Sequence, residues 1–123
     1  KSGNIKTHYA ADTLKALSED RVGALMRGLT DTVCITIDLD VFDPSIMPAT
    51  GTPEPGGLLW YDVLKILKEA ISGRTVAGFD VVELCPMPGS IAPDFLTAKL
   101  VYKIMGYINE RALKKTGGRA GSI

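Results

Sequence analysis

This sequence is poor in the residues that mark whole classes of protein. Only two cysteines occur in 123 residues. Cys34 stands inside an apolar run and Cys85 beside a proline, with neither CxxC spacing nor a dense framework, which excludes a disulfide scaffold and fits reduced thiols inside a cell. No charge dominates: Lys plus Arg and Asp plus Glu stand at 14 each, so the basic footprint of a nucleic-acid binder or a membrane-surface protein is missing. No apolar run approaches the ~20 residues of a membrane span, and the opening "KSGNIKTHYA" lacks the pattern of a signal peptide. These absences point to a cytoplasmic protein with a small or polar partner. His8 is the one histidine; since metal sites gather their ligands, a solitary histidine reads as structural. The chain opens on Lys1 rather than Met, which raises the expectation of a missing upstream segment or a processed product.

What the chain does have is the size for one core and a regular alternation of elements. "IKTHYA", residues 5–10, reads as a short strand. From Asp12 to Leu29, the apolar residues Leu14, Leu17, Val22, Leu25, Met26 and Leu29 recur at helical spacing and predict one amphipathic helix. "VCITI", residues 33–37, is a β-branched apolar run without alternation, the pattern of a parallel strand buried on both faces. Trp60, Val63, Leu64, Leu67 and Ile71 form one helical stripe, with Gly73 placed for a left-handed cap. "TVAGFDVV", residues 75–82, reads as a second buried strand, and Pro93 suits the first turn of a long helix carrying Leu96, Leu100, Ile104 and Ile108. Residues 113–123, polar and glycine-rich, read as a flexible tail. The order β-α-β-α-β-α predicts an α/β fold: a parallel sheet of about three strands, helices on its faces, right-handed crossovers. Ligands bind such sheets outside their carboxyl edge, and Asp38, Asp40 and Glu83 all fall there.

The stretch "IDLDVFDPSIMPATGTPEPGG", residues 37–57, sets three aspartates where the apolar run ends. If strand geometry persists one residue further, Asp38 and Asp40 face the same way with Cα atoms ~6.5–7 Å apart, near enough to share a cation. Without one, like charges so placed raise each other's pKa. Capping a turn is the ordinary role of such aspartates, and Asp43 before Pro44 fits it, because Asp-Pro favours turn initiation. An EF-hand loop counted from Asp38 would want Gly at 43 and Glu at 49, where the chain has Asp43 and Ala49. An aspartyl phosphotransferase of the haloacid-dehalogenase type also sets Asp-x-Asp after a strand, yet Val41-Phe42 stands where a small Gly-Thr or Ser-Thr typically follows; it is a distant alternative. "GTPEPGG" has neither P-loop nor dinucleotide spacing.

Taken together, "IDLDVFDPSIMPATGTPEPGGL" and the later "AGFDVVELCP" resemble the manganese-dependent ureohydrolases, the arginase and agmatinase family, over about Asp31 to Asn109. The wording "GTPEPGG" leans toward agmatinases. The resemblance implies a three-layer α/β/α fold and hydrolysis of a guanidino compound to an amine and urea, with agmatine to putrescine, a polyamine-forming step, as the first candidate. It implies a binuclear Mn2+ centre with Asp38 and Asp40 among its ligands, Thr52 lining the substrate site, Glu83 holding the guanidinium group, and Asp43 with Pro44 shaping the loop. It also implies a homo-oligomer, trimer or hexamer. These residue types suit that chemistry. Two cations ~3.5–4 Å apart acidify a bridging water, hard oxygen ligands suit manganese, and a glutamate can orient the planar cation through two parallel hydrogen bonds.

The departures are as informative. The family's upstream Asp-Ala-His-x-Asp and Gly-Gly-x-His motifs are missing, and one histidine cannot supply two metal-binding ones. The aspartate that protonates the leaving amine is missing too. Residues 1–123 therefore read as the carboxyl-terminal portion of a single ureohydrolase-like domain, inactive alone, its site completed by an upstream part. The alternative is a non-catalytic truncated fragment or interaction module. Smaller departures are Leu59, where many relatives carry a hydroxyl residue, and Cys85 with Met87. A sheet cut midway would also expose an unpaired apolar edge.

Overall fold

Two parallel strands, rather than about three, make up the sheet among residues 5–117, the residues described by a computed structural model. The elements run α1 (Ala10–Ser18), α2 (Val22–Leu25), β1 (Thr32–Asp38), α3 (Trp60–Ile71), β2 (Thr75–Val82) and α4 (Ala92–Gly117), with a 3-10 turn over Leu39–Val41 closing β1. The third strand expected at "IKTHYA" is absent: Ile5 to Tyr9 has no regular structure and Ala10 already opens α1. One isoleucine among Lys6, Thr7 and His8 leaves too little apolar surface to hold a strand against a sheet. The other boundaries follow local signals. β1 and β2 bracket the expected runs, Gly73 takes a left-handed φ of 72° just past α3, and Pro93 sits in the first turn of α4. α4 continues to Gly117, into the stretch read as a tail; Lys1 and residues 118–123 lie outside the described residues.

The single helix expected over Asp12 to Leu29 is two. α1 ends in a Schellman motif: Asp20 N–H donates to Leu17 O (3.3 Å) and Arg21 N–H to Ala16 O (2.7 Å), around Asp20 at φ 53°. Glycine usually fills that left-handed position and aspartate seldom does, so periodicity alone ran through the break. Lys65 Nζ lies 2.7 Å from the Asp20 carboxylate. Its hydrogen bond and charge hold the Asp20 carboxyl below its ordinary range.

Burial on the strands alternates instead of covering both faces. Val33, Ile35 and Ile37 pair with Val76, Phe79 and Val81 on the helix-covered side, while Cys34, Thr36 and Asp38 pair with Gly78, Asp80 and Val82 on the other. An extra residue, Ala77, between the Val76 and Gly78 pairings shifts the register and keeps Val76 and Phe79 on one face, as a bulge does. The uncovered side leaves Cys34, Thr36, Asp38, Asp80 and Val82 exposed. The described helices thus cover one face, and both-face burial does not hold for these residues. α3 contributes Val63, Leu64, Leu67 and Ile71 to the core, and α4 contributes Leu100 and Ile104. Leu17, Val22, Met26 and Ile37 join them from α1, α2, the end of α2 and β1, and the connection between β1 and α3 adds Leu39, Phe42, Met47, Ala49 and Leu58. No described helix is long and apolar enough to cross a membrane.

Candidate functional site

The chain leaves β1 through a turn, and that turn decides where the aspartates go. Strand geometry does not persist past Asp38; the 3-10 turn starts at Leu39, and the Asp38 carboxylate accepts the Asp40 N–H at 2.9 Å. A short acidic side chain bonding the backbone two residues on is the usual Asx device, and it replaces the same-face arrangement expected of Asp38 and Asp40. One Asp38 oxygen is thereby committed to the backbone. Asp40 is oriented differently: the Thr52 hydroxyl donates to its Oδ2, while Oδ1 is buried with no hydrogen-bond partner among the described residues. A buried carboxylate oxygen without a donor is costly, and a cation would satisfy it.

Asp43 does the work of the turn. Its two oxygens accept from Ser45 N–H at 2.9 Å and from Gly56 N–H at 3.1 Å, bridging the start and end of the Pro/Gly loop. The Ser45 hydroxyl, then the Ser45 and Gly56 amides, stabilise its charged form and hold its carboxyl below the ordinary range. Backbone bonds tighten the same closure: Asp43 N–H donates to Leu58 O (3.0 Å) and Leu58 N–H to Val41 O (2.8 Å). Gly57 lies so close that a Cβ there would sit 2.5 Å from Asp43 N and from Phe42 C. Only glycine fits.

Glu83 follows directly on β2 and is exposed, with a left-handed φ of 67°. A bulky residue in that region costs about 1–3 kcal/mol, and such strain gathers at functional positions. Two residues on, Cys85 N–H donates to Ala49 O at 2.8 Å, tying the exit of β2 to the loop that carries Thr52. Asp38, Asp40, Thr52 and Glu83 thus all lie on segments that meet at the carboxyl edge of the sheet.

Three residues near this edge carried no sequence signal for it. His8 and Glu54 line, with Asp40, a cavity of about 450 Å3 walled by Leu25, Met26 and Ile66. Thr50 is buried with its hydroxyl unpartnered among the described residues. As a cation site the donor set fits in kind, being hard carboxylate oxygens, and in the orphaned Asp40 oxygen. It falls short in number: among the described residues no group of three or more His, Cys, Asp or Glu side chains could hold a metal ion.

A helix-covered parallel sheet, with an aspartate pair and a strained glutamate at its carboxyl edge, defines an α/β chain with an acidic edge site. The chain belongs to the arginase family, whose family model matches residues 4–106. An N(1)-aminopropylagmatine ureohydrolase of Synechocystis sp. is 50% identical over 86 residues, 70% of this chain and 28% of that protein. An agmatinase of Pyrococcus horikoshii is 38% identical over 82 residues, 67% of this chain and 29% of that protein. Among solved structures, the proclavaminate amidino hydrolase of Streptomyces clavuligerus superposes with a TM-score of 0.76 at 27% identity, over 87% of this chain and 37% of that one. The chain therefore spans under a third of the length of either of those two relatives.

Proposed function

We propose that this chain forms the carboxyl-terminal half of a ureohydrolase site that cleaves a guanidino compound to an amine and urea, with agmatine or its aminopropyl derivative as substrate. What supports this most is the convergence of Asp38, Asp40, Thr52 and Glu83 on one edge, tied by the Thr52 to Asp40 and Cys85 to Ala49 hydrogen bonds. Asp38 and Asp40 would hold part of a manganese pair, which when bound supplies Lewis acidity and lowers the pKa of water. Thr52 fixes one Asp40 oxygen and so aims the other. Glu83 accepts from the planar guanidinium and sets the orientation of its carbon. Asp43, ionised at neutral pH, keeps the loop closed around them.

Two aspartates do not complete such a centre, so the chain by itself is expected to release no urea. The test is urea release, with added Mn2+, by a longer protein that includes the upstream segment, on agmatine, aminopropylagmatine and arginine. Glu83→Gln should weaken apparent substrate affinity at least tenfold through the loss of a charged, bidentate contact, since ~1.4 kcal/mol is tenfold. An unchanged KM would remove Glu83 from the substrate site. A non-catalytic role is favoured instead if the upstream segment lacks the missing histidine and aspartate ligands.

A further inference from the structure

Glu83 holds a backbone conformation that its residue type does not favour. Its φ of 67° lies in the left-handed region, which glycine enters freely and a long side chain does not. Such a conformation persists only where the surroundings over-determine it. Strand alternation shows what the surroundings gain. Val81 lies on the helix-covered side of β2 and Val82 on the open side, so a continued strand would send residue 83 into the core and residue 84 outward. The left-handed residue breaks that alternation. Leu84 instead packs against the core and Glu83 stays exposed. One residue further, Cys85 N–H reaches Ala49 O at 2.8 Å, and Pro86 behind it biases Cys85 toward extended backbone. The acceptor is itself fixed, because the Ala49 and Met47 side chains are each 1% exposed.

We propose that Leu84 and the Ala49 carbonyl are positioning groups for Glu83: burial of one and the hydrogen bond to the other hold Glu83 left-handed and so fix its carboxylate at the carboxyl edge. This role rests on the reading of Glu83 as the group that meets the guanidinium. Ala49 stands three residues before Thr52, so the loop that sets Asp40 through the Thr52 hydroxyl also sets Glu83. Freed of a tie, Glu83 relaxes toward the extended backbone that ordinary residues prefer. Apparent substrate affinity then falls by the fraction of molecules still in the competent conformation. Bound substrate selects that conformation, so kcat holds while KM rises.

NMR on this chain, and with selective glutamate labelling on the longer protein that includes the upstream segment, reads the conformation directly. A left-handed φ brings the Glu83 amide and α protons close and gives a strong cross-relaxation peak within the residue. Leu84→Ala should weaken that peak and speed exchange of the Cys85 amide, while Leu84→Met, of like volume, should keep both as in the wild type. Leu84→Val, a smaller truncation, should move both readouts the same way and serves if Leu84→Ala unfolds. In the longer protein Leu84→Ala should raise KM about tenfold, equivalent to ~1.4 kcal/mol, with kcat unchanged. Ile108→Ala controls for lost packing: Ile108 also packs against the core, on the half of α4 where Arg111 bonds Thr75 at the start of β2, and its truncation should leave KM and the Glu83 peak alone. A Glu83 peak that survives both Leu84 truncations overturns the proposal. So does a lost peak with KM unmoved while Glu83→Gln raises it, or an equal rise of KM in Ile108→Ala. If Glu83→Gln leaves KM unmoved as well, the substrate reading itself fails and takes the positioning role with it.

Discussion

The loop that leaves β1 is pinned at both ends and along its middle, whereas the segment that leaves β2 hangs on one strained residue and one long-range hydrogen bond. Between Leu39 and Leu58 the chain plugs Phe42, Met47 and Ala49 into the core and closes on itself through both Asp43 oxygens. From Glu83 to Gly89 only Leu84 is partly buried, and beyond the Cys85 to Ala49 bond the segment makes its own turn, Ser90 N–H donating to Met87 O at 3.0 Å around Gly89. The contrast teaches which side chains are preorganised. On the proposed reading Asp38 and Asp40 would hold a cation, which needs fixed oxygens on a rigid frame, and the β1 loop supplies such a frame. Glu83, proposed to meet a substrate, sits on a segment with fewer ties and a lower opening energy.

The comparison can be broken first at Phe42, which is 1% exposed and stacks on Trp60 with ring centres 6.4 Å apart. Phe42→Ala should cost about 4 kcal/mol in denaturant unfolding; a cost near zero would show that the loop is not part of the core. Gly57→Ala comes next, at about 3 kcal/mol, because its Cβ would collide with backbone that cannot yield. Gly51→Ala, where nothing lies within 4 Å of the new Cβ, should stay within about 0.5 kcal/mol.

Asp43 gives a smaller effect that depends on pH. Its folded-state carboxyl pKa is depressed, so its contribution is present above the unfolded value of ~3.9 and is lost as pH falls through the folded one. The wild-type chain should therefore be more stable than Asp43→Asn at neutral pH, and the gap should close on acidification below pH ~4. A gap that widened there would reverse the assignment. An effect of opposite sign is expected at the β2 exit: Glu83→Gly relieves the left-handed strain and should stabilise by about 1 kcal/mol. Glu83→Gln keeps the Cβ and should leave stability unchanged, so stability and substrate affinity separate at this residue.

Much of the fold was legible because its signals are local. The stripe from Trp60 to Ile71 ended at Gly73 as glycine punctuation predicts, and "TVAGFDVV" matched β2 residue for residue. The misses have physical causes. The break after Ser18 rests on an aspartate doing what glycine normally does. "IKTHYA" had too little apolar surface for a strand. The alternating burial of β1 was hidden because Cys34 and Thr36 look as suited to an interior as Val33 and Ile35. At the site, the aspartate pair, Thr52 and Glu83 were visible as residue types in a motif, but the bonds that hold them were not.

By itself the sequence determined the segments of β1, α3, β2 and α4, where the acidic loop falls relative to the sheet, and which family the motif belongs to, since periodicity, turn residues and spacing are properties of neighbours along the chain. Only the tertiary structure decided that Thr52 is hydrogen-bonded to Asp40, that Ala49 anchors Cys85, and that one Asp40 oxygen is buried without a donor among the described residues. Those outcomes depend on side chains brought together from distant positions and on left-handed backbone at Asp20 and Glu83, where nothing in the adjacent residues announces it.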